Sequence, residues 1–170
     1  MGLRNPKKLA HQGRSLAEIL AAHERFFRGQ DGDLQGVNLS GAILRRANLE
    51  GADLRGAKLP GADFSSALLR KADLRNTDMT ESVLAGADLT EAQASGVEFF
   101  RCDLSNANFE RALLRNANFR GANVRGARFR GADMGVTILR ETDLTGADLS
   151  GVDLSTTLLP RNYSPGLAKE

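Results

Sequence analysis

An acid or amide recurs every five residues through most of this chain, at Asp53, Asp63, Asp73, Asp78, Asp88, Asp103, Asn108, Asp133, Asp143 and Asp148 among others. Carboxylates in a fixed array are the groups that ligate hard cations, and paired carboxylates do general acid–base work. The competing reading is local. Asp and Asn side chains bond backbone amides two residues on, and at this spacing they serve turns. We read the array as structural and expect no metal and no cofactor. The other reactive groups do not assemble a site either. His11 and His23 have no metal-ligand spacing to each other or to Cys102, the one cysteine. No Ser-His-Asp or Cys-His set is present, and the glycines recur singly, not as a phosphate loop before a helix.

The element that holds this array is set by a second series in the same register. From Leu34 to Leu159 every fifth residue is a centre of the repeat: 17 Leu, Phe64, Phe99, Phe109, Phe119, Phe129, Met79, Met134, Val124 and Ala94, which makes 26 positions. Two residues before each centre lies something small, chiefly Ala, with Cys102 as one instance. A strict short repeat decides the fold before any motif is weighed. Five is neither the 3.6 of a helix nor the 2.0 of a strand, and suits a chain that runs straight for about three residues and then turns. The large and small residues point inward. The second residue after the centre is Gly at 12 places and Asn at 76, 106 and 116, both tolerant of positive φ. Corners held by Arg46, Lys71, Glu81, Glu91, Arg101, Arg111, Val136 and Glu141 are expected to use a different turn type.

Tandem units such as Ala52-Asp53-Leu54-Arg55-Gly56 and Ala147-Asp148-Leu149-Ser150-Gly151 resemble the pentapeptide-repeat family. The resemblance implies an all-β fold, a right-handed quadrilateral β-helix with four units per coil and four flat faces. At an inter-strand spacing of about 4.8 Å, six and a half coils make a rod roughly 30 Å long. Centres then stack in columns twenty residues apart. Phe99 lies beneath Phe119, and Phe109 beneath Phe129 on the opposite face. Ala94 leaves its column short, a gap for neighbouring Phe99 to fill. Cys102 takes a small inward position as a buried spacer and not a nucleophile.

The chain divides into a basic, flexible tail over 1–14, a capping helix over 15–29, the β-helix over 30–160 and a C-terminal tail over 161–170. Ser15 with Glu18 forms a capping box, and Gly29 is a C-terminal stop. Leu16, Ile19, Leu20, His23, Phe26 and Phe27 share one face, which would cover the open end of the solenoid. The pattern His23, Phe26, Phe27, Gly29 is also similar to the leader of many bacterial family members. No apolar run approaches 18 residues, and no signal-peptide core follows the basic start, so the expected location is cytoplasmic, without a membrane span. The start also fails as a myristoylation signal, because the sixth residue is Pro6.

With 41% hydrophobic and 5% aromatic residues and a net charge of +2, the composition fits a thin Leu-filled core. The best-known members of the family resemble duplex DNA and protect type II topoisomerases, so modulation of DNA gyrase is the alternative function. Duplex DNA carries about one negative charge per 1.7 Å, so a 30 Å mimic needs on the order of 18. Residues 31–160 hold 18 acids against 15 bases, a net of −3, and no loop interrupts the coils. DNA mimicry is disfavoured. Nucleic-acid binding is disfavoured too, because the excess positive charge lies in the termini.

The charge is banded. Residues 76–100 carry five acids and no Lys or Arg, residues 101–130 seven Arg against two acids, and residues 131–160 one Arg against five acids. Neighbouring belts that pair with each other keep the surface soluble. Phe100 follows a centre and faces outward, with Arg101 adjacent and Arg120 and Arg140 on the same corner one and two coils on. That corner is the candidate partner contact, as a cation–π stack or a receiver of aromatic and acidic groups. Ile138 and Leu158 stand where Asp or Asn is usual, as do Ile43, Leu68, Val83 and Leu113. Ile138, Leu158 and Leu159 are the candidate contact for a homodimer through the C-terminal end. The expected function is a non-enzymatic protein-interaction or scaffold module with an unknown protein partner.

Overall fold

In a computed structural model the described residues are 10–11, 14–15, 34–161 and 163. Residues 34–161 form a four-sided parallel solenoid. Outward positions twenty residues apart pair in parallel, from Asn38↔Lys58 through Ile138↔Leu158, so one coil is four pentapeptides. We number the faces by their centres: the first holds Leu34, Leu54 and on to Leu154; the second Leu39 to Leu159; the third Leu44 to Leu144; the fourth Leu49 to Leu149. Ahead of the solenoid, β1 (Ala10–His11) and β2 (Arg14–Ser15) pair antiparallel. Apart from Ser15, which lies in β2, the capping helix expected over 15–29 lies outside the described residues.

A five-residue unit with Asp or Asn before its centre satisfies all five of its amides, which is why the period can repeat without a helix or a long strand. The small residue donates to the preceding centre's carbonyl, as Ala57 does to Leu54 (3.0 Å). The residue before the centre donates to the coil before, as in Asp73 to Ala52 (2.8 Å). The centre and the corner donate to the coil after, as in Leu54 to Asp73 (2.8 Å) and Gly56 to Arg75 (3.0 Å). The fifth amide, just after the centre, has no backbone acceptor. It goes to the Asp or Asn side chain two residues before it, as in Thr80 to Asp78 (3.0 Å) and Arg120 to Asn118 (3.0 Å). Pro60 and Pro160 occupy this position behind Lys58 and Leu158, which offer no such acceptor. The amide and its acceptor are absent together.

The corners correct one expectation. Arg46, Lys71, Glu81, Glu91, Arg101, Arg111, Val136 and Glu141 do not use another turn; all have φ between 54° and 61°, beside 62–73° at the glycines. A left-handed third residue closed by a bond from centre carbonyl to small-residue amide is a type II turn. Coil closure imposes that turn whatever residue stands there, and overrides the roughly 1–2 kcal/mol that an L side chain costs in this region.

The core is a stack of four-centre layers. The Phe109 and Phe129 rings stack in parallel at 5.0 Å between centroids, Phe99 and Phe119 lie 4.9 Å apart with planes tilted by 38°, and the two columns meet edge-to-face at 5.7–5.9 Å. Two phenylalanines thus share each of two layers, and those are the layers that hold Ala94 and Val124. Ala94 is fully buried. It is the volume that Phe99 and Phe109 require, as Val124 is for Phe119 and Phe129. Hydroxyl and thiol groups at small inward positions reach the carbonyl one coil and three residues back, as in Thr77 to Leu54 (2.8 Å) and Ser82 to Leu59 (2.7 Å).

Candidate interaction surface

The carboxylate array is accounted for by the turns. All fifteen described Asp and Asn residues at the position before a centre accept the amide two residues on, from Asn38 to Asp153. These bonds lower carboxyl pKa values. The Thr145 hydroxyl and amide hold Asp143 below the usual range, and the Ser150 hydroxyl and amide hold Asp148 there. At Asp53 the Arg55 guanidinium is the main cause. No group of three or more His, Cys, Asp or Glu side chains gathers as a metal site among the described residues. Cys102 is buried and its thiol bonds the Met79 carbonyl (2.8 Å). Burial pushes its pKa up to about 12, so it stays a protonated thiol.

The sequence bands become belts that pair. Arg101 and Arg111 reach down to Glu81 (3.9 Å) and Glu91 (3.8 Å). Arg115, Arg120 and Arg125 reach up to Asp133 (2.6 Å), Glu141 (2.9 Å) and Asp143 (3.3 Å). Amides lie next to some of the acids, as where Asn118 donates to Glu98 (2.8 Å) and Asn123 to Asp103 (3.1 Å), while Asp53 stacks directly on Asp73 and Asp78 on Glu98. Exposed ion pairs contribute at most about 1 kcal/mol each, but they leave few free cations.

The second face gathers nearly all the outward candidate residues. Phe100 is partly exposed, and the cation over its ring is Arg101 of its own corner, 4.9 Å from the centroid. Arg120 turns instead to Glu141 on the next coil. Arg140 is exposed and has no ion pair among the described residues. On the same rungs Ile138 bridges Leu158, which is 41% exposed. The corner leading into this face is Val136, 53% exposed and left-handed at φ 58°. The other outward apolar residues stand alone: Ile43 pairs with Asp63, Leu68 with Asn48 and Asp88, Leu113 with Gln93 and Asp133.

Leu159 does not belong to this patch. It points inward and, with Leu144 and Leu149, is only partly buried in the last coil. The first coil's centres Leu34, Leu39, Leu44 and Leu49 are 1–5% exposed. Strict alternation thus assigns Ile138 and Leu158 to the side of the rod and Leu159 to its end. On the first face the last rung opens as well. Asp133 and Asp153 do not bridge, Val136 donates to the Thr156 hydroxyl (3.1 Å), and a cavity of about 220 Å³ lies between these coils.

Coils of twenty residues, four flat faces, an inward Leu or Phe every fifth residue and an Asx-closed turn define a parallel β-solenoid of five-residue units. The sequence profile of the pentapeptide repeats matches residues 33–70, 67–106, 98–135 and 125–159. The chain belongs to the pentapeptide-repeat family, and its solenoid is the family's right-handed β-helix, the sense that parallel crossovers adopt. Among solved structures it is similar to HetL, a pentapeptide repeat protein involved in heterocyst differentiation regulation from the cyanobacterium Nostoc sp. strain PCC 7120. The identity is 34% over 77% of this chain and 63% of that one, with a TM-score of 0.45. It is similar to alr5209 from Nostoc PCC 7120, 26% identical over 88% of both chains, with a TM-score of 0.36. It is also similar to QnrB1, a plasmid-mediated fluoroquinolone resistance protein, 21% identical over 72% of this chain and 77% of that one, with a TM-score of 0.41. Comparison with curated proteins gives no match.

Proposed function

We propose that the chain is a non-enzymatic protein-interaction rod whose partner meets the second face at Phe100, Arg101, Arg120 and Arg140. The observation that carries this reading is the Ile138↔Leu158 rung. It is the one bridge among the described residues that pairs two outward apolar side chains, and it lies in the face of Arg140, which has no ion pair among those residues. Contact surfaces combine this apolar centre with arginine and aromatic anchors. Most of the other basic side chains pair with acids of the same rod, which opposes both a DNA mimic and a nucleic-acid surface. Affinity capture from an extract of the native cells, with wild-type and Phe100→Ala/Arg140→Ala bait, tests it. A partner held by the wild type and lost by the variant supports the reading; identical recovery refutes it. A DNA-gyrase supercoiling assay with and without a quinolone should be unchanged by the protein.

A homodimer through the C-terminal end is supported by a different observation. The amides of Leu144, Gly146, Leu149 and Gly151 have no acceptor among the described residues, and the centres of that coil are partly exposed. Unpaired strand edges over apolar side chains invite pairing with a second copy. Light scattering should give twice the 18.3 kDa chain mass, falling to the monomer with Leu159→Glu. A wild-type monomer refutes the dimer. The described residues hold no helix long and apolar enough to cross a membrane, and the working compartment in this reading is the cytoplasm.

A further inference from the structure

The second face also restricts the charge of what it can meet. Over its last three rungs, residues 118–121, 138–141 and 158–161, it carries three Arg against Glu141 alone. The first and third faces carry more acids than bases over their last three rungs. The excess is not neutralised within the rod. Of the solenoid's bases, Arg46, Lys58, Arg130, Arg140 and Arg161 have no ion pair among the described residues. The first three stand apart from one another, whereas Arg140 and Arg161 lie on adjacent rungs of one edge, both exposed. Arg140 is the one base of residues 131–160 and pairs with none of the five acids there.

The local bonding shows why this edge keeps its charge. Glu141, the one acid of these rungs, is taken by Arg120 through two bonds (2.9 and 3.3 Å). Arg120, then Arg101 and Arg161, hold its carboxyl below the usual range, so one carboxylate faces three guanidinium groups. On the coil before, the same corner is Gly121, and the stem of Arg101 lies 3.4 Å from where a Cβ there would stand. No acid therefore separates Arg101 from Glu141 along the corner. Arg101, Arg120, Arg140 and Arg161 rise by about 4.8 Å per rung, a basic track about 14 Å long with Phe100 at its start.

An exposed guanidinium without an ion pair presents forked donors that a carboxylate matches in two parallel bonds. A nucleic acid would ask for more. DNA-binding surfaces make about 6–10 phosphate contacts, and this edge offers about two free cations. Resting on the interaction reading above, we infer that the Arg101–Arg120–Arg140–Arg161 edge docks an acidic segment of a partner protein, whose carboxylates meet Arg140 and Arg161. The charge match sets where along the rod the segment lies.

The test uses the full chain and a fluorescent twelve-residue peptide with four glutamates. A control peptide carries glutamine at those four places, and a twelve-nucleotide oligothymidylate serves as a competing anion. Anisotropy titration should show the glutamate peptide binding saturably and at least tenfold more tightly than either control. Arg140→Glu/Arg161→Glu should weaken it at least tenfold. Arg46→Glu/Arg130→Glu makes the same change in net charge on other sides of the rod and should leave it within twofold. All four residues are exposed and without an ion pair, so thermal melts of both variants should match the wild type. No saturable binding, equal affinity for the glutamate and glutamine peptides, equal weakening by the two variants, or tighter binding of the oligonucleotide overturns the inference. If the peptide fails while the captured partner is still lost by Phe100→Ala/Arg140→Ala, the acidic segment is wrong and the interaction rod stands. If capture is also unchanged, both fall.

Discussion

Ala94→Leu separates a filled layer from a defective one. If Ala94 left a void, leucine would add three buried carbons worth about 0.8 kcal/mol each, a gain near 2.4 kcal/mol. The layer is instead occupied by Phe99 and Phe109, whose rings meet at 5.7 Å, and Ala94 is fully buried. Leucine then overpacks, at about 1–3 kcal/mol. For a chain of 170 residues that is a fall of about 2–12 °C in melting temperature. Circular dichroism of the variant against wild type reads the sign directly. Phe99→Leu on the Ala94→Leu background should recover stability, so the two changes couple by roughly 0.5–3 kcal/mol instead of adding. A higher melting temperature for Ala94→Leu alone would refute the packing argument.

Prolines discriminate the turn positions. Ala85→Pro, behind Val83, should be neutral or stabilise by up to about 1 kcal/mol, whereas Thr80→Pro removes the amide that Asp78 accepts and should lower stability by about 1 kcal/mol; equal effects in thermal melts would contradict the amide accounting. Acid should weaken the fold. The turn bonds hold Asp143, Asp148 and Asp153 below their ordinary value of 3.8, so their contribution is complete above that value and is lost as pH falls through the lower folded pKa. The melting temperature should be level from pH 7 to about 5 and drop below about 4; a melt at pH 3 matching that at pH 7 would contradict this. Cys102, with its thiol raised to about 12 and buried, should resist a thiol-reactive chromogenic disulfide until the chain unfolds. Fast labelling of the folded protein would disprove that burial.

The core was legible because each unit is closed by bonds within five residues and to one neighbour coil. The centres, the small inward positions, the Asx role of Asp53 or Asp148 and the two phenylalanine stacks all follow from the period. The corners were misread because propensity was judged one residue at a time. Arg46 and Glu91 accept a left-handed φ that closure of a twenty-residue coil imposes, a constraint no single residue states. The surface was half legible. The belts were visible as bands, but which partner Arg120 selects depends on side-chain reach across a rung, and it turned to Glu141 instead of Phe100. Ile138, Leu158 and Leu159 read as one patch in sequence. Inward–outward alternation divides them, and regroups the first two with Phe100 and Arg140.

The central claim is that outward departures from the repeat carry function while the 26 centres carry the fold. Comparative capture from native extract with wild-type, Ile138→Asp and Arg140→Glu bait tests it most directly, with melting temperatures measured on the same preparations. The account predicts a partner retained by wild type and lost by both variants at unchanged or higher stability. The same proteins recovered by all three baits would contradict it.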